Sequence, residues 1–80
     1  MKVVDISGRL DYMDVKFDDG KVVRIDGEMI YHGFIGFKDN IDEWMIPKGK
    51  PISENERQEI IDAVLEEIKA SGSQMNIVFE

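Results

Sequence analysis

One complete helix signature sits in the second half of the chain, and it decides the fold class. Ser53-Glu54-Asn55-Glu56 has the form of a capping box, with Ser53 as N-cap and Glu56 at N3 reaching back to the Ser53 N–H. The early acidic residues also suit the positive end of the helix dipole. Ile60, Ile61, Val64, Leu65 and Ile68 then fall on one face, and Asn55, Glu59, Asp62 and Glu66 on the opposite one. Ser71-Gly72-Ser73 ends the pattern, with Gly72 placed as the C′ residue. A lone amphipathic helix must bury its stripe against something else, and nothing else in this chain reads as a comparable helix.

The partner surface is a sheet. Lys2–Ile6 is a short apolar run. In Asp11–Phe17, Met13, Val15 and Phe17 alternate with Asp14 and Lys16; in Lys21–Asp26, Val23 and Ile25 share a face. Asp18-Asp19-Gly20 joins the two as a hairpin. A two-residue turn would set Val15 opposite Arg24 and put that charge on the apolar face. A three-residue loop sets Val15 opposite Val23 and Met13 opposite Ile25, with Gly20 in the left-handed position of a G1 bulge. The second register is expected, because a one-residue slip turns every side chain to the wrong face.

Gly27 breaks the alternation. Glu28–Tyr31 and Phe34–Phe37 read as a further extended pair around His32-Gly33, with Gly36 marking a bulge or a close approach. Lys38–Pro51 is expected to be irregular, with Asp39 or Asn40 capping one helical turn through Trp44; Pro47, Gly49 and Pro51 prevent anything longer. Met75–Phe79 closes the chain as a strand whose apolar run, Ile77-Val78-Phe79, suits an interior position in the sheet. The expectation is a single α+β domain over residues 1–80: a mainly antiparallel sheet of about five short strands packed on one amphipathic helix, in two layers. The helix covers one face of that sheet. The other must be polar, covered by loops or engaged with a partner.

Size and charge narrow the function. A domain of 80 residues buries roughly 60% of the surface its unfolded chain exposes, so its core is small. There is no cysteine for disulfides, thiolate chemistry or soft-metal binding. The first residues lack the apolar run of a signal peptide, and no stretch approaches the ~20 apolar residues of a membrane span. A cytoplasmic protein is expected. Ten Lys and Arg stand against 17 Asp and Glu, a net charge of −7. That disfavours nucleic acid and anionic lipid as direct partners and suits a basic protein.

Catalysis has little to build on. His32, the one histidine, lies in a turn context without an identifiable orienting carboxylate. Ser7, Ser53, Ser71 and Ser73 sit where turns and caps explain them. Asp11/Asp14, Asp18/Asp19 and Asp39/Asp42/Glu43 do not match a calcium loop, and Gly33-x-x-Gly36 lies in a strand without a Walker lysine. No catalytic residue, metal or cofactor is expected.

Contact residues are a better prospect. Trp44, the only tryptophan, stands beside Asp39, Asp42 and Glu43. It is either a core anchor or a hot-spot residue on a partner-binding face whose carboxylates favour a basic partner. Glu59, Asp62 and Glu66 form a second acidic surface along the helix, which reads either as a plain solvated face or as part of the contact.

FKDNIDEWMIP, PISENERQEIIDAVLEEIK and the terminal NIVFE together resemble a family of small bacterial immunity proteins, immunity protein 74, of polymorphic-toxin and contact-dependent inhibition systems. The resemblance extends back through KVVRIDGEMIYHGFIGF to about Val15, while the first dozen residues add nothing to it. Met45-Ile46-Pro47 departs from a more polar, proline-rich run in the family. The resemblance implies a small cytoplasmic protein, not an enzyme, that binds and neutralises a cognate toxin domain, often a nuclease. Asp39, Asp42, Glu43, Trp44, Glu59, Asp62 and Glu66 are the residues expected to meet it. Occlusion of the toxin's active site and binding at an exosite are both open, as is the oligomeric state. The rival reading is a small acidic regulatory or adaptor protein that acts through protein contacts, with a homodimer as one form of it.

Overall fold

A computed structural model describes residues 1–80. Five strands run in chain order across one sheet: β1 (Val3–Gly8), β2 (Tyr12–Phe17), β3 (Val22–Ile30), β4 (Gly33–Gly36) and β5 (Asn76–Phe79). A single helix, α1 (Glu54–Ala70), precedes β5. The first three pairings are antiparallel; β4 and β5 are parallel. That parallel pair follows from connectivity, since the connector and α1 carry the chain back across the sheet before β5 begins. The helix packs against both the first and the last strand, so the sheet curls around it.

The β2–β3 hairpin has the register that its faces demand. Val15 pairs with Val23 and Met13 with Ile25. The Phe17 N–H donates to Lys21 O at 2.8 Å across the three-residue loop, and Gly20 takes a φ of 90°, a value that Cβ-bearing residues avoid. Met13, Val15, Phe17, Val23 and Ile25 are all buried, joined from the helix by Ile60, Ile61 and Val64.

Four expectations need correction. Gly27 does not end a strand: β3 runs through it for nine residues. Its first half pairs with β2 and its second with β4, and loops fill the remaining edges. The Gly27 and Met29 N–H groups donate to Asp11 O and Leu10 O, while on the other side Val22 N–H donates to Ile46 O. Strand β5 lies at the edge of the sheet, not inside it. Only Ile77 and Phe79 turn toward the core; Val78 lies exposed on the opposite face. Leu65, at the margin of the helix stripe, is 42% exposed, because the curled sheet reaches only as far as Ile61, Val64 and the half-buried Ile68. Finally, no capped turn runs through Trp44. A single 3-10 turn covers Lys38–Asn40, preceded by Phe37 without a side-chain cap, and the following backbone is drawn into bridges from Glu43 to Pro51 and from Ile46 to Val22.

The helix ends follow the sequence. Ser53 Oγ accepts from the Glu56 N–H at 3.1 Å, and Glu56 Oε1 accepts from the Ser53 N–H at 3.3 Å. Gly72 follows the last turn with a φ of 69°. Ser53→Ala removes the acceptor for one otherwise orphaned N–H, so a loss of about 1 kcal/mol is expected. Thermal denaturation should register it as a fall of roughly 4–8 °C.

Candidate partner-binding surface

The connector from Ile41 to Ile52 presents one set of carboxylates because its apolar residues go inward. Ile41, Trp44 and Ile52 are buried, which leaves Asp42 and Glu43 facing solvent. Backbone bonds fix this arrangement. The Trp44 N–H donates to Lys50 O at 2.8 Å, the Ile52 N–H to Asp42 O at 2.9 Å, and the Met45 N–H to Val22 O at 2.9 Å. From the first turn of α1, Arg57 Nε donates to Ile41 O at 3.1 Å and ties helix to connector.

Trp44 is 1% exposed. Its ring meets Phe17 edge-on with centroids 5.8 Å apart, and Lys21 Nζ lies 5.2 Å from its centroid. Of the two readings of this residue, burial gives the core anchor. Its Nε1 is buried and has no hydrogen-bond partner. Above it, Asp26, Asp42 and Glu43 line an open depression of about 470 Å³ together with Arg24 and Lys48. Asp39 is exposed on the 3-10 turn and does not line it.

Glu59, Asp62 and Glu66 are exposed along α1 and line a separate groove against the start of β1. Asp62 Oδ1 accepts from Gln58 Nε2 at 2.9 Å, one turn earlier. The fold therefore brings six of the seven residues together as two groups that share no lining residue, Asp42, Glu43 and Trp44 in one and Glu59, Asp62 and Glu66 in the other, while Asp39 stands apart on the 3-10 turn. None of the six carboxylates takes part in an ion pair, the pairs being Lys21–Asp19 and Arg24–Asp14, although Arg24 and Lys48 line the depression of the first group and Lys2 lines the groove of the second.

Sequence reasoning missed the contribution of β3 to the first group. Arg24 and Asp26 lie on the sheet face turned away from the helix. There Arg24 makes two bonds to Asp14, at 2.8 and 2.9 Å, and stacks 3.8 Å from the Tyr12 centroid. The Asp14 hydrogen bonds raise the Arg24 pKa further above its ordinary value. The available signal was the strand period, which sends Arg24 and Asp26 to the same side.

No ionisable side chain is buried, and no three His, Asp or Glu residues are grouped as a metal would need. His32 is exposed in the β3–β4 turn, its ring 4.0 Å from that of Tyr31. No helix is long and apolar enough to cross a membrane.

The family model of immunity protein 74 matches residues 5–80. The chain belongs to this family. The match reaches back over β1 and β2, beyond the Val15 boundary at which the resemblance in the sequence fades. No curated protein and no solved structure gave a significant match. Membership in the immunity protein 74 family makes the chain an immunity protein, and in that light exposed carboxylates without ion-pair partners are the feature to explain.

Proposed function

We propose that the chain binds a cognate toxin domain, a basic nuclease, in the cytoplasm of the cell that produces it, and neutralises it as a stoichiometric inhibitor. It acts by contact and not by catalysis. The match to an immunity family over residues 5–80 carries this reading. A net charge of −7 and six carboxylates without ion-pair partners support the basic target. Presented where phosphates would otherwise bind, such carboxylates raise the encounter rate and disfavour other acidic partners. Asp39, Asp42 and Glu43 would make contact directly, and Trp44 would act from beneath by holding their backbone. Glu59, Asp62 and Glu66 extend the acidic surface along α1.

Titrating the purified toxin with this chain should abolish its activity at one equivalent. Replacing Asp39, Asp42 and Glu43 together by lysine should slow association about tenfold or more at low ionic strength, and less at high salt. Failure of the wild-type chain to form a complex or protect co-expressing cells would sink the reading. A second reading, an adaptor that forms a homodimer, draws on the exposed Ile30 and Val78 on the uncovered sheet face. A mass in solution that doubles with concentration, with no effect on the toxin, would favour it.

A further inference from the structure

Strand β1 has a neighbour on one side only, and beside its free edge lies a groove with two chemically distinct halves. The apolar half, about 340 Å³, is walled by Ile6, Met13, Met29, Phe34, Ile68 and Met75. Asp5 and Glu67 stand among the same lining residues. Val3 and Glu67 also line the second half, so the two halves adjoin, and there Glu59, Asp62 and Glu66 supply the helix wall and Lys2 and Val3 the strand side. Exposed apolar side chains stand at its rim: Val4 is 53% exposed, and Met29 and Met75 are exposed too.

We propose that this groove receives an extended, basic segment of the toxin, which adds as a strand to β1. The inference rests on the immunity reading and names the element that would anchor the complex. A free edge offers a row of backbone donors and acceptors that an incoming strand satisfies, while pockets beside it select alternate side chains. The register of β1 with β2 is irregular between Val3 and Asp5 and regular from Asp5 to Gly8, so Asp5–Gly8 is the stretch that can pair continuously. Apolar side chains of the incoming strand then enter the pocket, where thioether side chains adapt to their shape. Its Lys or Arg side chains continue past the irregularity to Glu59, Asp62 and Glu66. A second copy of this chain fits poorly, because its own β1, Val3–Gly8, would bring Asp5 and no Lys or Arg to the acidic half of the groove.

The experiment uses this chain, free and in complex with its cognate toxin domain, with amide hydrogen exchange and binding kinetics. Exchange at Asp5–Gly8 is expected to slow at least tenfold on binding. Val4→Lys, at an exposed position, should weaken affinity at least tenfold with its melting temperature unchanged. The combined Glu59→Lys, Asp62→Lys, Glu66→Lys variant should slow association by a similar factor, while Val78→Lys at the opposite edge should bind as wild type does. A complex that forms with Asp5–Gly8 unprotected, and with the Val4 and helix variants binding normally, overturns the added strand and leaves the immunity reading standing. A wild-type chain that binds no toxin overturns both.

Discussion

Trp44→Ala is expected to cost about 3–5 kcal/mol, the range for truncating a large aromatic in a core. Against a total stability of roughly 5–15 kcal/mol for domains in general, that leaves this one marginal or unfolded. The reasons are local. The core comprises 14 residues, and Trp44 is its largest member. Its ring closes the end of the molecule at which the hairpin residue Phe17 and the connector meet. Ile41 and Ile52 cannot collapse into the space, because their backbone is bonded to Arg57 and to Asp42. Trp44→Phe should be far milder, about 1–2 kcal/mol. It forfeits contact area but no hydrogen bond, since Nε1 has no acceptor to lose. Urea denaturation of the three proteins checks the order. Toxin affinity measured on folded Trp44→Phe protein should stay near wild type; a tenfold loss there with little change in stability would return the indole to the interface.

The ambiguity of Trp44 shows where reading a sequence stops. Its neighbours in the chain are acids, which suggest a surface; its neighbours in space are Phe17 and Lys21, which no local pattern reveals. Features whose causes are local were legible. The capping box needs only Ser53 and Glu56, and the hairpin register follows once Arg24 is kept off the apolar face. Features set by topology were not. Ile77-Val78-Phe79 reads as buried on both sides, yet its place depends on the return path through α1, which leaves it parallel to β4 at an edge. The same holds for the candidate surface. Exposure of Asp42 and Glu43 follows from the inward turn of Ile41 and Trp44, whereas the arrival of Asp26 beside them requires the connector to bridge β3. The groove along β1 had no sequence signal at all. It exists because β1 ends the sheet and α1 passes beside it.

The second large effect is expected at Gly27, where Gly27→Ala should lose about 3 kcal/mol, toward the upper end for overpacking a well-filled site. A Cβ there would run into the carbonyl oxygen of Ile35 and would stand 2.6 Å from ring carbons of Phe34. The oxygen is backbone and cannot swing aside. Nor can the strands part easily, because β3 is held on both edges at this point. Gly27 pairs with Gly36 and donates its N–H to Asp11 O at 3.0 Å, and the adjacent Asp26 O accepts from the Phe37 N–H at 2.8 Å. Moving β3 away from β4 would therefore compress it against the β1–β2 loop. Gly8→Ala is the matched control. Nothing lies within 4 Å of its would-be Cβ, so its effect should stay within about 0.5 kcal/mol. Equal stabilities for the two variants in urea would show that β3 and β4 do not approach as closely as described. Gly27 lines neither acidic group, so any loss of toxin neutralisation by Gly27→Ala should track its unfolded fraction and recover under conditions that refold it. Charge reversal at Asp42 or Glu43 would behave in the opposite way, impairing binding while the unfolding curve stays in place.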